Sequence, residues 1–150
     1  MTELPQAELE ARVSAVCDAP IDAARAARVR DLCNEPVLQP WLRCRLARWL
    51  LLATPDQPDL VALAHEQALL ALAHRPARQL AAYAYDRLRV LRGELQKFGT
   101  QRGEDGAPWP TDPATTDSER AKWDVPSRAE LERAPFALTP DAGAGELPCR

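Results

Sequence analysis

Apolar residues recur at three- and four-residue intervals from the start of the chain to Leu95, the spacing that gathers them on one face of an α-helix. Leu9, Val13 and Val16 mark a first helix over about 5–17, interrupted by Asp18-Ala19-Pro20. Ile21, Ala24, Val29 and Leu32 mark a second, ending at Cys33 before Asn34-Glu35-Pro36. Leu38, Leu42, Leu46, Trp49 and Leu50 mark a third over about 36–53, whose Arg43, Arg45 and Arg48 project elsewhere and read as a solvated face. Thr54-Pro55 has the form of an N-cap followed by proline at the first helical position, so a fourth helix is expected from there to about His74. A fifth starts near Pro76, with Leu80, Ala84, Leu88, Leu91 and Leu95 as its stripe. Asp86, Val90 and Gly93 lie roughly opposite, and small or apolar residues on both sides predict a helix covered on both.

The pattern then breaks. Gly93 fits the position just past a helix end, where a left-handed residue is needed, and places Arg92 against the negative helix terminus. Residues 96–101 alternate in side-chain type, and half of the fourteen prolines follow Gln101. Residues 107–111 can return beside 96–101 as a short hairpin, although Pro108 and Pro110 confine them to an edge. Asp112-Pro113 reads as a helix start, and Ser127-Arg128-Ala129-Glu130 as a capping box, giving short helices over about 113–123 and 128–134. The expected fold is therefore all-α: a compact bundle of about five helices, a short hairpin or irregular insert, and a short helical, proline-rich tail. Residues 1–134 read as one helical domain, with 86–134 packed on the bundle. Residues 135–150 read as a flexible tail, since Ala142-Gly143-Ala144-Gly145 has little to bury. A period near 34 residues, which would mark a helical repeat array, is not evident.

Composition sharpens this picture in three places. Aromatics make up only 5% of the 150 residues, so alanine and leucine must supply most of the core, which favours closely packed helices. A net charge of −3 gives no long-range attraction to nucleic acid or to an anionic membrane. Strictly apolar runs such as Trp49 to Ala53 are far short of the roughly 20 residues needed to span a bilayer. The start of the chain lacks a basic, apolar leader, so a cytoplasmic protein with free thiols at Cys17, Cys33, Cys44 and Cys149 is expected.

No catalytic or metal constellation is visible. The four cysteines form no C-x-x-C pair, and His65 and His74 are too far out of phase on a helix to share a metal. Nucleophile-elbow, P-loop and dinucleotide fingerprints are missing. No metal ligand and no cofactor is therefore assigned. The candidate binding residues are Asp86, Arg87, Gln96, Phe98, Gly99, Thr100 and Gln101. Two readings of them are open. In one, Gln96, Thr100 and Gln101 offer neutral donors and acceptors to a ligand, Phe98 an apolar wall, and Asp86 or Arg87 the charge. In the other, the same groups form a buried polar staple that ties the tail to the bundle.

The run Asp86-Arg87, Gly93, Gln96, Phe98-Gly99-Thr100-Gln101 resembles a bacterial domain-of-unknown-function family whose members carry Asp-Arg-x-x-x-x-x-Gly-x-x-Gln-x-Tyr-Gly-Thr-Gln. Asp112-Pro113, Asp117, Arg120 and Val125-Pro126 are similar to that family's tail, and Trp49-Leu50-Leu51 to its Trp-Leu-Leu helix, so the resemblance covers about 49–134. Phe98 stands where the family has tyrosine, and Ala53-Thr54-Pro55-Asp56 where it has Gln-His-Ala-Asp. The resemblance implies a shared site and no particular reaction. The leading functional expectation is a non-catalytic binding or protein-interaction module using residues 96–101, with a protein or small-molecule ligand and no nucleic acid or membrane partner. The alternatives are a small enzyme of specialised metabolism using Asp86 as a base beside Arg87, and a helical subunit of a homo- or hetero-oligomer.

Overall fold

The computed structural model describes residues 4–20 and 22–138. Its helices are α1 (Gln6–Cys17), α2 (Ala23–Cys33), α3 (Pro40–Ala53), α4 (Pro58–Leu70), α5 (Pro76–Leu91), α6 (Asp117–Lys122) and α7 (Arg128–Arg133). The architecture is an all-α bundle of five main helices with a helical tail, and no strand forms among the described residues. Ile21, Cys149 and the glycine-rich end lie outside those residues, and with them most of the expected flexible tail.

Helix α3 is the centre. It packs on α1, α2, α4 and α5, and α4 packs closely on α5. Leu42, Leu46, Ala47 and Leu50 from α3 meet Leu9 and Val13 from α1, Val29 from α2, Leu60, Val61, Ala64 and Ala68 from α4, and Ala77, Leu80, Ala81 and Ala84 from α5 in one core. Alanine on α4 and α5 lets the two backbones approach, as the scarcity of aromatics requires. No helix among the described residues is long and apolar enough to cross a membrane.

The central position of α3 overturns its expected solvated face. Arg43 is buried. Its guanidinium donates to the Cys33 and Glu35 carbonyls at 3.1 and 3.0 Å, and to Gln67 Oε1 at 2.6 Å. It thereby supplies positive charge to the C-terminal end of α2, where helix carbonyls lack partners. Arg45 is half-buried and donates to Ser14 Oγ at 2.8 Å.

Several element starts also differ from expectation. Thr54 does not cap α4. Its hydroxyl donates back to the Leu50 carbonyl at 2.6 Å and closes α3, and α4 begins at Pro58 after Gln57. It ends at Leu70, so His74 lies in the turn beyond it. The third helix starts at Pro40 rather than Pro36. Asp112-Pro113 starts a turn, with Asp112 Oδ1 accepting from the Ala114 N–H. Helix α6 starts later, behind the Thr116/Glu119 capping box. The capping box at Ser127 forms as expected. Residues 135–138, expected to fray, return along the bundle: the Phe136 and Tyr83 rings lie 6.1 Å apart, and Leu138 packs on the main core.

Candidate functional site

Helix α5 ends at Leu91, and Gly93 follows at φ +72°, the left-handed conformation that turns the chain off the helix. The chain then folds back over α5, and Asp86 on that helix determines how. The Asp86 side chain is fully buried. Its Oδ1 accepts from the Lys97 and Phe98 N–H groups at 2.8 and 2.9 Å. Its Oδ2 accepts from the Gly99 and Thr100 N–H groups at 3.1 and 3.0 Å, and from the Thr100 hydroxyl at 2.8 Å. Four successive backbone N–H groups converging on one anion form a nest of the kind that binds phosphates elsewhere; here the anion belongs to the chain itself. Gly99, at φ +100°, gives the nest its curvature, and a Cβ there would meet Leu131 Cδ1 at 3.0 Å.

Gln96 holds the other side. Its Nε2 donates to the Gln101 and Trp109 carbonyls at 3.0 and 2.8 Å, and its Oε1 accepts from the Gln101 N–H at 2.8 Å. The Gln96 backbone bonds to Pro110 and Asp112, an isolated parallel bridge. Gln101 Nε2 donates to Thr100 Oγ1 at 3.2 Å. The expected hairpin reduces to one antiparallel bridge, Arg102 to Pro108, because Pro108 and Pro110 have no N–H to extend a ladder. The insert is therefore of the irregular kind.

The tail clamps this turn from outside. Arg120 is buried and donates to the Phe98 and Thr115 carbonyls at 2.9 and 3.2 Å and to Asp117 Oδ1 at 3.1 Å. A hydrogen bond from the Arg128 N–H, followed by that of Arg120, holds the Asp117 carboxyl below the usual carboxylate range. Phe98, Val125 and Leu131 pack with Ala82 as a second, small core.

Each candidate residue thus has a definite place. Asp86, Gln96, Thr100 and Gln101 point inward, and their polar atoms bond within the chain. Arg87 lies apart from them: its Nε donates to the Pro55 carbonyl at 2.7 Å and its Nη2 to Asp56, fastening α5 to the α3–α4 connection. Gly99 shapes the nest. Of the candidate residues, Phe98 reaches an outer concavity. That groove, of about 220 Å³, is lined by His65 from α4, Ala81, Ala82 and Tyr85 from α5, Lys97 and Phe98 from the turn, and Trp123 after α6.

The groove is aromatic on three sides. Ring centroids lie 6.1 Å apart for Tyr85 and Phe98, 6.2 Å for Phe98 and Trp123, and 5.9 Å for His65 and Tyr85. Lys97 Nζ sits 5.4 Å from the Phe98 ring centre. Burial lowers the His65 pKa, so the neutral imidazole is favoured. Trp123 is fixed by its neighbour Asp124, a non-glycine residue at φ +54°. The Asp124 carboxylate accepts from Arg75 at 3.2 Å, and its carbonyl accepts from Gln79 Nε2 at 3.2 Å.

Sequence reasoning did not select His65, Tyr85, Lys97 or Trp123 as site residues. Spacing carries no signal for a set drawn from two helices, a turn and a tail. Scarcity does: in a chain with only four tryptophans, two tyrosines and two phenylalanines, three rings converge here.

The fold and site together define a class: a helical bundle whose tail is locked by an internal carboxylate in a backbone nest. No protein-family model, curated protein or solved structure matches this chain.

Proposed function

We propose that the chain is a non-catalytic binding module that takes its ligand in the groove on the outer face of segment 96–101. The observation that carries this reading is the division of labour within the segment. Its polar side chains are consumed in holding the backbone, and that backbone presents Phe98 and Lys97 to a concavity completed by His65, Tyr85 and Trp123. A rigid scaffold that displays aromatic surface and one charge is the usual form of a small-ligand site. The resemblance to a bacterial family through the Asp-Arg and Gly-Thr-Gln block, and a cytoplasmic location, belong to the same proposal.

Against the enzyme alternative stands the state of its base. Asp86 does not line the groove, and both its oxygens are engaged by donors. A general base must reach the proton that it removes. The subunit alternative is favoured by Leu69, Leu70 and Leu72, exposed together near the end of α4. Size-exclusion chromatography with light scattering tests its self-associating form, which a strict monomer would eliminate.

The binding reading is tested by a fragment screen on isotope-labelled protein, observed by amide and indole NMR signals. Hits should cluster on Lys97, Phe98 and Trp123. Hits confined to the α1–α2 groove beside Arg12 and Arg28, or none, would overturn it.

A further inference from the structure

We propose that the groove takes a small planar aromatic anion, its ring held among Tyr85, Phe98 and Trp123 and its carboxylate paired with Lys97 Nζ. This rests on the reading of the groove as the binding site and adds the chemistry of the ligand.

Shape supplies the first argument. Ala81 and Ala82 form a low floor on α5, and the walls are rings, so the concavity suits a flat group in van der Waals contact. A cavity of about 150 Å³ holds a benzene. The groove, at about 220 Å³, has room for a ring and a carboxylate.

Charge supplies the second. Among the described residues, Lys97 is the one lining residue with a formal charge once His65 is neutral, and no carboxylate lines the groove. Asp86 beneath the turn is engaged by its five donors, and Asp124 beside Trp123 by Arg75. Cations already lie over two of the rings, Lys97 at 5.4 Å from Phe98 and Arg89 at 5.7 Å from Tyr85. A cationic guest, the usual occupant of an aromatic cage, would meet the like charge of Lys97, the one of these two cations that lines the groove. An anion instead gains a partner whose backbone is anchored, because the Lys97 N–H is bonded to Asp86.

The test compares three probes of nearly equal size on the full chain: benzoate, benzamide and benzyltrimethylammonium. Benzoate should shift the signals of Lys97, Phe98, His65 and the Trp123 indole with a Kd on the order of millimolar, as suits a fragment. Benzamide should bind about fivefold more weakly, the worth of a partly exposed charge pair, and the ammonium probe should leave the groove unmoved. Lys97→Gln should bring benzoate to the affinity of benzamide while the protein stays folded, since only the Lys97 backbone takes part in the nest. Lys97→Arg should restore the difference. Equal binding of benzoate and benzamide, or an unchanged benzoate affinity in Lys97→Gln, overturns the anionic ligand and leaves the groove as a binding site. Failure of all three probes to move any groove signal overturns both.

Discussion

Replacing Asp86 by asparagine keeps the shape of the side chain and removes one acceptor, so it isolates what the nest contributes. The amide oxygen can face the three donors now on Oδ2, or the two now on Oδ1, but not both sets. With the larger set satisfied, the Lys97 and Phe98 N–H groups confront an NH₂ in a buried site. Each stranded buried donor costs about 1–3 kcal/mol, and the bonds that remain lose their charge assistance, so a total near ~4 kcal/mol is expected. That is a large share of the roughly 5–15 kcal/mol that stabilises a domain. It corresponds to a fall in Tm of roughly 10 °C for a chain of this length. Urea unfolding followed by circular dichroism measures the loss. Hydrogen exchange locates it: protection should fall across segment 96–134, whose small core depends on the turn, before it falls in α3 and α4. A loss below ~1 kcal/mol, or undiminished protection across 96–134, would refute the view that the carboxylate holds the tail.

Three further outcomes follow from the geometry. Gly99→Ala should destabilise more than Gly93→Ala in thermal melts: both have positive φ, but only at Gly99 does a Cβ run into Leu131 as well, whereas Gly93 opens on empty space. Because burial depresses the His65 pKa below its ordinary value of 6.5, protons bind the unfolded chain better; stability should be full above pH 6.5, fall as pH drops toward the folded-state pKa, and lose that part of its slope in His65→Gln, as pH-dependent urea midpoints will show. Burial pushes the Cys33 thiol up to about 12, so mass spectrometry after iodoacetamide treatment should find Cys33 unmodified in the native protein and modified after denaturation.

Much of the scaffold was legible because it rests on local rules. The turn at Gly93 follows from a single residue, and the start of α7 from a four-residue capping box. Thr54 shows where local rules divide. A threonine before proline suits a helix start, but its hydroxyl serves equally well to close the helix behind it, and Pro58 begins α4 instead. Thr116 and Glu119 carried the same capping signature as Ser127 and Glu130, yet the nearby Asp112-Pro113 offered a competing start. Arg43 was illegible for a different reason: its partners are mostly carbonyls, which every residue has, so no complementary charge in the sequence marks it as buried. The candidate block was visible as a departure from helical monotony. Which of its atoms face inward was not, since that depends on where Asp86 sits when α5 is packed.

The nest also has a metric. The carboxylate lies seven residues before the glycine that ends α5, and its donors follow at offsets of eleven to fourteen. Those intervals, more than the identities between them, are what the geometry constrains. Inserting or deleting one residue between Gly93 and Lys97 would leave the composition nearly unchanged and put the wrong N–H groups over the carboxylate. Variation in this stretch should therefore proceed by exchange of side chains at fixed length, and the arrangement is portable: a helix, an aspartate two turns before its terminal glycine, and a turn at the right remove.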